Sequence, residues 1–564
     1  MCGIWAYLSI LQKAQDVQNY QRFVELNARG PERSHFFEVH DPILMKFGFH
    51  RLSIMDPTEN GDQPFCHVVG DRTIYTMCNG EIYNHAELKA AHGMEMVRSK
   101  SDTEVLPSLY LELGFSEMVN SLIGEFAIII VDIDHSTGSA VIYVARDQFG
   151  IRPLFYGPKE KSTYVFASEM KGIVGLTDAV QQFPPGQVLE IKFSPIANGP
   201  QPSMHVTETL TPYFSYSFDK FADFSLEQAQ AQIRSCFEET VRCRLKADRP
   251  IGCLLSGGLD SSLVAATAAR LLEKEGKQLR TFSIGMPGAT DTKFAQLVAD
   301  HIGSQHTHVE FSPDEGLAAL RDVIYAIESY DITTVRASTG QYLLSKWIAE
   351  HTDVKVLLIG DGSDELTCGY MYFHKAPSPQ DAHVETIKLL TEIHFYDVLR
   401  ADRGIAENGL EARVPFLDHR FVNLYMSLKP DWRVPQHGQE KWLLRQSFAE
   451  TELLPKEVLY RQKEAFSDGV SGKTKSWYQI IQEFVEAQIS QDQLSNLQKS
   501  CSHLPPPSKE AAFYRQEFIN RFGKDDAVAK TIPHFWLPQW CGETTEPSAR
   551  TLDVYSSSQN EQVD

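Results

Sequence analysis

Two stretches of this 564-residue chain carry residue types whose spacing can do chemistry. The first is Cys2, directly behind Met1. Removal of Met1 ahead of a small residue leaves Cys2 with a free α-amine, whose ordinary pKa is about 7.7–8.0. Such an amine can take the proton of its own thiol, so the nucleophile needs no separate histidine. On position alone, a cysteine here reads more readily as a small buried hydrophobe. The second stretch is L-L-S-G-G-L-D-S-S at 254–262, between an apolar run and a helical one. Its two glycines free the backbone to turn, and the amides of 257–262 then point at a helix N-terminus, where anions bind. Ser256, Ser261 and Ser262 add hydroxyl donors. No G-x-x-x-x-G-K-[ST] occurs, so γ-phosphate transfer of the P-loop kind is not indicated.

The elements that must position these residues fall into two halves. Residues 1–191 show short alternating or apolar runs, among them GIWAYLSI, TIYTMCNGEIY, AIIIVDID and QVLEI, punctuated by Gly, Asn, Asp and Pro. Helical stretches around 12–28 and 102–122 interrupt them, which predicts packed sheets with helices outside, an α+β layered domain. Residues 192–224 hold Pro, Gly and Ser without a sustained period and read as a linker with one short strand. A long helix starts near Ser225, with the S-x-x-Q pattern of Ser225 and Gln228, and runs to about Lys246. From Arg249 continuous apolar strands alternate with amphipathic helices, the pattern of a parallel sheet covered on both faces. After about 375 the chain reads as mainly helical. The expected division is therefore 1–191, linker 192–224, 225–540, and a polar tail 541–564.

Composition narrows the partners. Lys and Arg number 53 against 74 Asp and Glu, a net charge of −21. So acidic a surface repels phosphate backbones and anionic lipid, so neither nucleic acid nor membrane is expected as a partner. An anionic substrate must then be held by a local device. Nine scattered cysteines with no C-x-x-C argue against a disulfide framework or a zinc site, and for a reducing, cytosolic compartment. No run approaches the ~18 apolar residues that span a bilayer. The opening MCGIWAYLSIL lacks the basic flank and cleavage site of a signal peptide.

Cys2 keeps telling company: A-R-G-P-E at 28–32, F-H-R-L-S-I-M-D at 49–56, N-G-E-I-Y-N-H at 79–85, S-D at 101–102 and R-D-Q-F-G-I-R-P-L at 146–154. In that order the set resembles the glutaminase domain of class II glutamine amidotransferases over about 190 residues. The resemblance implies an N-terminal nucleophile (Ntn) hydrolase sandwich, αββα. It implies Cys2 as nucleophile and the Asn79 side chain with the Gly80 amide as oxyanion hole. It also implies Arg51 as the clamp on the glutamine α-carboxylate, Glu81 and Asp102 on the α-ammonium, and Leu52, Ser53, Ile54 and Met55 along the pocket wall. One departure is Lys100 ahead of Ser101-Asp102, where many members carry glycine.

The 254–262 loop resembles the pyrophosphate loop of ATP pyrophosphatases. Y-D-I-T-T-V-R-A-S at 330–338, G-D-G-S-D-E-L at 360–366, G-Y-M-Y-F-H-K-A-P at 369–377, G-L-E-A-R-V-P-F-L-D-H-R at 409–420 and R-Q-K-E-A-F-S-D-G at 461–469 follow in order. With the first half in front, about 540 residues are similar to the glutamine-hydrolysing asparagine synthetases, most of all the animal type. The resemblance implies that aspartate is adenylated by ATP to β-aspartyl-AMP with release of PPi. Ammonia released at Cys2 then crosses an internal passage and displaces AMP. Asp260 and Asp364 become Mg²⁺ carboxylates, and Lys463 stabilises phosphate charge. Leu255, Ser256, Gly257, Gly258, Leu259, Ser261, Ser262, Ile284, Ile359 and Gly360 hold ATP, with Thr333, Thr334 and Arg336 on its phosphates or the intermediate. A homodimer is implied as well. The largest departure is Asp361 where the family motif has glutamate, with Ile359 replacing a serine beside it. Two other readings stay open: a class II amidotransferase or β-lactam synthetase-like enzyme with another acceptor, and an inactive binding protein, for which Asp361 is the only support.

Overall fold

The computed structural model describes the chain except residues 12–15, 95–96, 160–162, 197–203, 473–474, 543–545, 547 and 549–564. Most of the expected polar tail thus lies outside the described residues. The chain forms two compact units. One holds Met1–Ser215 with Ala247–Arg249 and Ala527–Thr531, and the other holds Tyr216–Lys246, Pro250–Asp526 and the chain from Ile532 on.

The first unit stacks two six-stranded sheets whose strands pair antiparallel. Side-chain alternation decides the layers. Ile4, Ala6 and Leu8 of the strand Gly3–Ser9 meet Ile129, Val131 and Ile133 of Gly124–Asp134 between the sheets. Ile128 and Ile130 face the other way, under the helices Val105–Leu113 and Phe115–Ser121. On the far side the helix Asp16–Val24 covers the first sheet through Phe23, which stacks on His50 at 4.0 Å. The expected αββα layering is thereby present. Near its end the chain returns to this unit: the Gln182 side chain donates to the Thr531 carbonyl at 3.4 Å.

Three local readings change. The stretch 192–224 is not all linker, because Gln187–Pro195 continues a strand past 191 and Met204–Pro212 pairs with it as the sheet's edge. Met204–Pro212 is exposed along nearly its whole length, so it lacks the apolar alternation that marks a half-buried strand. The stretch 102–122 is a short turn and two helices, because Gly114 adopts φ +78° between them. A helix at His85–His92 was not foreseen.

The second unit opens with the helix Leu226–Arg244, capped by Ser225 and Gln228 reciprocally as expected. Its sheet has five parallel strands in the order Gln305–Glu310, Arg280–Gly285, Ile251–Leu254, Val356–Leu358, Glu411–Arg413. The chain starts in the middle, builds outward to one side, then returns to build the other. Between Ile251–Leu254 and Val356–Leu358 the order reverses, and ligands of open parallel sheets bind beyond the strand ends at such a point. The two loops leaving those strands are 255–258 and 359–362, both singled out from sequence. Helices fill most of the chain thereafter, to Lys509–Phe522 and Asp526–Ala529.

Candidate active sites

In the first unit Cys2 precedes the strand Gly3–Ser9, and its Sγ donates toward the Leu52 carbonyl at 3.7 Å. Met1 is buried ahead of it, so the Cys2 nitrogen is an amide until Met1 is removed. The Cys2 carbonyl accepts from Arg29 Nε at 2.9 Å. Arg29 is itself buried and paired with Glu169 at 2.6 Å, and Lys171 holds the other Glu169 oxygen at 2.8 Å. This network anchors the Cys2 peptide. None of its three side chains was given a role from sequence, although Arg29 lies in A-R-G-P-E. Leu52, Ser53 and Ile54 are buried and Met55 half-buried, with the Ser53 amide fixed on Glu32 at 2.8 Å.

Asn79 and Gly80 lie on the long strand Arg72–Ile82. Asn79 is fully buried, and among the described residues neither its amide oxygen nor its amide nitrogen has a hydrogen-bond partner. Leaving a buried amide unpaired costs about 1–3 kcal/mol, which is the state of an oxyanion donor awaiting its acceptor. Gly80 has φ +150°, and a Cβ there would lie 2.0 Å from the Glu125 carbonyl, so no side chain fits. Glu81 and Asp102 are buried nearby, and Asp102 accepts the Ile82 amide at 2.6 Å. Burial, then the charges of Asp102, Cys2 and Glu81, push the Cys78 thiol well above its usual value. Those three groups therefore gather around one buried side chain. Arg51 is buried and already engaged. Its guanidinium donates to the Thr58, Met55 and Asp56 carbonyls and to Asp62, so it holds the 55–62 loop and would exchange partners to take a carboxylate.

In the second unit one cleft gathers most of the expected nucleotide residues: Leu255, Ser256, Gly258, Leu259, Asp260, Ser261, Ile284, Ile359 and Gly360, with Asp361, Asp364 and Lys463. The loop is tightly determined. Gly257 has φ +78°, and a Cβ would meet the Ala295 amide at 2.4 Å. Gly258 caps the helix Leu259–Glu273. Ser256 and Ser261 share a hydrogen bond of 3.0 Å across the turn. A Cβ on Gly360 would meet the Ser261 amide at 2.6 Å, so only glycine lets the two loops touch. Two residues of the loop do not line the cleft: Gly257, and Ser262, which is fully buried in the helix and whose hydroxyl has no partner among the described residues.

Charges converge there. Asp260 accepts from Ser363 at 2.7 Å and pairs with Lys441. Asp364 pairs with Lys441 at 2.6 Å through one oxygen and with Lys463 through the other. Burial pushes the Asp364 carboxyl up, but Lys441 and Lys463 outweigh it and hold the group well below the usual range. Burial likewise lowers Lys463, and Asp364 and Asp260 more than restore it. Asp361 is raised by burial, opposed by Arg400, which reaches it at 2.7 Å and also pairs with Asp397 at 2.6 Å. Arg461 donates to the Gly257 carbonyl at 3.1 Å and pairs with Asp291, whose carboxyl burial lifts to about 6. Glu440 accepts the Lys463 amide at 2.8 Å, so residues 440–441 tie the Lys463 loop to both aspartates. Lys441, Arg400, Arg461 and Glu440 were not identified from sequence. No cluster of three or more ligating side chains exists among the described residues. A metal at Asp260 and Asp364 would therefore complete its shell from substrate oxygens, water or backbone carbonyls.

Thr333, Thr334 and Arg336 lie elsewhere. The helix begins at Ile332, earlier than expected, and Asp331 caps it by accepting the Thr334 amide at 2.9 Å and hydroxyl at 2.7 Å. Arg336 spends its guanidinium on Glu510, at 2.7 Å through two nitrogens, and on Glu546. Gln341 and Leu344, further along the same helix, are the ones that reach the cleft. At 1.5 Å per residue they stand at least about 7 Å beyond Arg336 along the axis.

The family model for the glutamine amidotransferase domain matches residues 1–219, and that for asparagine synthase matches 232–388 and 376–538. Among curated proteins, the asparagine synthetases [glutamine-hydrolyzing] of Pongo abelii and Homo sapiens are each 42% identical over 576 residues, covering 99% of this chain and 99% of their own. Among solved structures, glutamine phosphoribosylpyrophosphate amidotransferase from B. subtilis aligns at TM-score 0.31 and 15% identity, covering 55% of this chain and 81% of its own, too slight a likeness to argue from.

Proposed function

The chain belongs to the glutamine-hydrolysing asparagine synthetases, and from that premise we propose how its residues divide the ATP-dependent synthesis of asparagine. In the first unit, the α-amine of processed Cys2 takes the thiol proton and the thiolate attacks the glutamine side-chain amide. Asn79 and the Gly80 amide stabilise the oxyanion, ammonia leaves, and water releases glutamate. Arg51, Glu81 and Asp102 orient the amino-acid end of glutamine.

In the second unit the β-carboxylate of aspartate attacks the α-phosphorus of ATP, giving β-aspartyl-AMP and PPi. Ammonia then displaces AMP. The 256–261 loop holds the phosphates by backbone amides and hydroxyls. Lys463 faces the charge that develops on them, a local cationic device within a chain of net charge −21. Asp260 and Asp364 suit Mg²⁺, which commonly takes one or two carboxylates and completes its shell from phosphates and water. Both reach the single Lys441 ammonium, so their oxygens converge on one point. When bound, Mg²⁺ would offset phosphate charge. Asp361 stands where a carboxylate can face the acyl group or the incoming ammonia.

The observation that carries this reading is the meeting of the S-G-G-x-D-S loop with Asp361, Asp364 and Lys463 at the reversal of the parallel sheet. Cytosolic residence and a homodimer complete the proposal. The nine cysteines are all free thiols, which suits a reducing compartment, and no helix among the described residues is long and apolar enough to cross a membrane. Sedimentation velocity tests the dimer. The site assignment is tested with Asp260→Asn. PPi release from ATP and aspartate is expected to stop while glutamate production from glutamine continues. A parallel fall of both would make Asp260 a structural residue.

A further inference from the structure

Lys441 occupies an unusual position. It is 1% exposed, its backbone is left-handed at φ +57°, and only its carbonyl, which accepts the Arg445 amide at 3.0 Å, serves the helix Trp442–Phe448 that follows it. Its ammonium reaches both Asp260 and Asp364. These two carboxylates come from different loops, 260 after one strand and 364 after another, and Lys441 is the cation common to both. Lys463 touches only the outer oxygen of Asp364. The fit is close: a Cβ on Gly369 would lie 2.2 Å from Asp364 Oδ1 and 2.2 Å from Lys441 Cε. The slot holding the pair therefore exists only because residue 369 has no side chain.

A divalent cation bound by Asp260 and Asp364 needs the same oxygens. Two cations do not share one carboxylate oxygen at contact distance without strong repulsion. We propose that Lys441 is a place-holder for the metal: it keeps the two carboxylates converged while the site lacks its ion, and it gives up at least one of them when the ion arrives. This rests on the assignment of Asp260 and Asp364 as metal carboxylates. The physical sense is preorganisation. Without a counter-cation, two neighbouring carboxylates repel and splay apart. With Lys441 between them, both stay aimed at one point. The cost is competition, because the metal must displace an ammonium that is already paired.

Competition and support predict opposite signs for one substitution. In Lys441→Met the metal-free protein should melt at lower temperature than the parent, since two half-buried carboxylates lose their shared partner. Its Mn²⁺ affinity, measured on the nucleotide-free protein by electron paramagnetic resonance, should nevertheless rise about tenfold or more, since the competitor is gone. A lysine that merely stabilises the fold would lower both. Unchanged or weaker Mn²⁺ binding overturns the proposal. Asp260→Asn separates this from failure of the underlying assignment. If that variant binds Mn²⁺ like the parent, the metal site is elsewhere. If it loses Mn²⁺ but Lys441→Met gains nothing, the place-holder role alone fails. Should Lys441→Met not fold, amine acylation of the parent followed by peptide mass spectrometry decides. Mn²⁺ is expected to raise labelling of Lys441, and equal labelling with and without it overturns the proposal.

Discussion

Two carboxylates differ enough from ordinary aspartates to be tested singly. Asp361 pairs with Arg400 at 2.7 Å, so its charge is already directed along the cleft wall. Asp361→Ala is expected to lower asparagine formation by about 100-fold, the cost of losing a positioned group. Asp361→Glu, longer by about 1.5 Å, should retain or raise it. Measuring PPi and asparagine together for the three proteins distinguishes loss of adenylation from loss of amide formation, and an alanine variant at the parent rate removes Asp361 from the mechanism. Asp291 offers a pH test. Its folded pKa of about 6 lies above the ordinary 3.8. The extra proton bound between those values favours the folded state, so this group's contribution to stability falls as pH rises from about 4 to about 6 and is flat beyond. The loss amounts to roughly 3 kcal/mol at most. Asp291→Asn should flatten that part of the stability profile, and an unchanged slope in urea unfolding between pH 4.5 and 7 would count against it. At this scale the sequence was readable where chemistry demands a residue type next to a glycine, as at Cys2, Asn79-Gly80 and Ser256–Ser261. It was silent on Lys441 and Arg400, which reach the cleft from segments without a motif of their own, and it gave no role to Arg461, which opens R-Q-K-E-A-F-S-D-G.

Elements were legible in proportion to their burial. The strands Gly124–Asp134 and Ile251–Leu254 announced themselves because packing on both faces keeps them apolar. Met204–Pro212 did not, since an exposed edge strand needs only β-propensity, here Val206 and three threonines. The helix Ile332–His351 was seen from 339 on, and its first two turns were read as a phosphate contact, for which Arg336 would have to leave Glu510 and Glu546. That reading yields a discriminating variant. Arg336→Ala breaks a buried pair with Glu510 and is expected to cost about 3–5 kcal/mol of stability. The KM for ATP of the folded remainder should stay near the parent's at a temperature below the lowered melting point. A rise in KM with unchanged melting would return Arg336 to the nucleotide.

At the level of the whole molecule, the two chemistries sit in separately packed units, each with its own core. Cys2→Ala should therefore abolish asparagine synthesis from glutamine and leave synthesis from ammonium salts within about twofold, because substitutions without shared partners act independently. Loss of both would sink the two-site division. The halves and their order were plain from residue patterns alone. The boundary was not, because the first unit runs to Ser215 and recruits 247–249 and 527–531.

The recruitment of 527–531 bears on how the protein is born. Ribosomes add about 5–20 residues per second, so about 15–60 s separate the appearance of Ser215 from that of Thr531. Throughout that interval the nascent glutaminase half lacks its last piece, including the carbonyl that Gln182 will bind. Each ribosome between residues 215 and 531 therefore carries a half-finished amidase, and it closes only once nearly all of the synthetase has been made. The order of manufacture thus delays completion of the ammonia-releasing half until its consumer is almost fully translated.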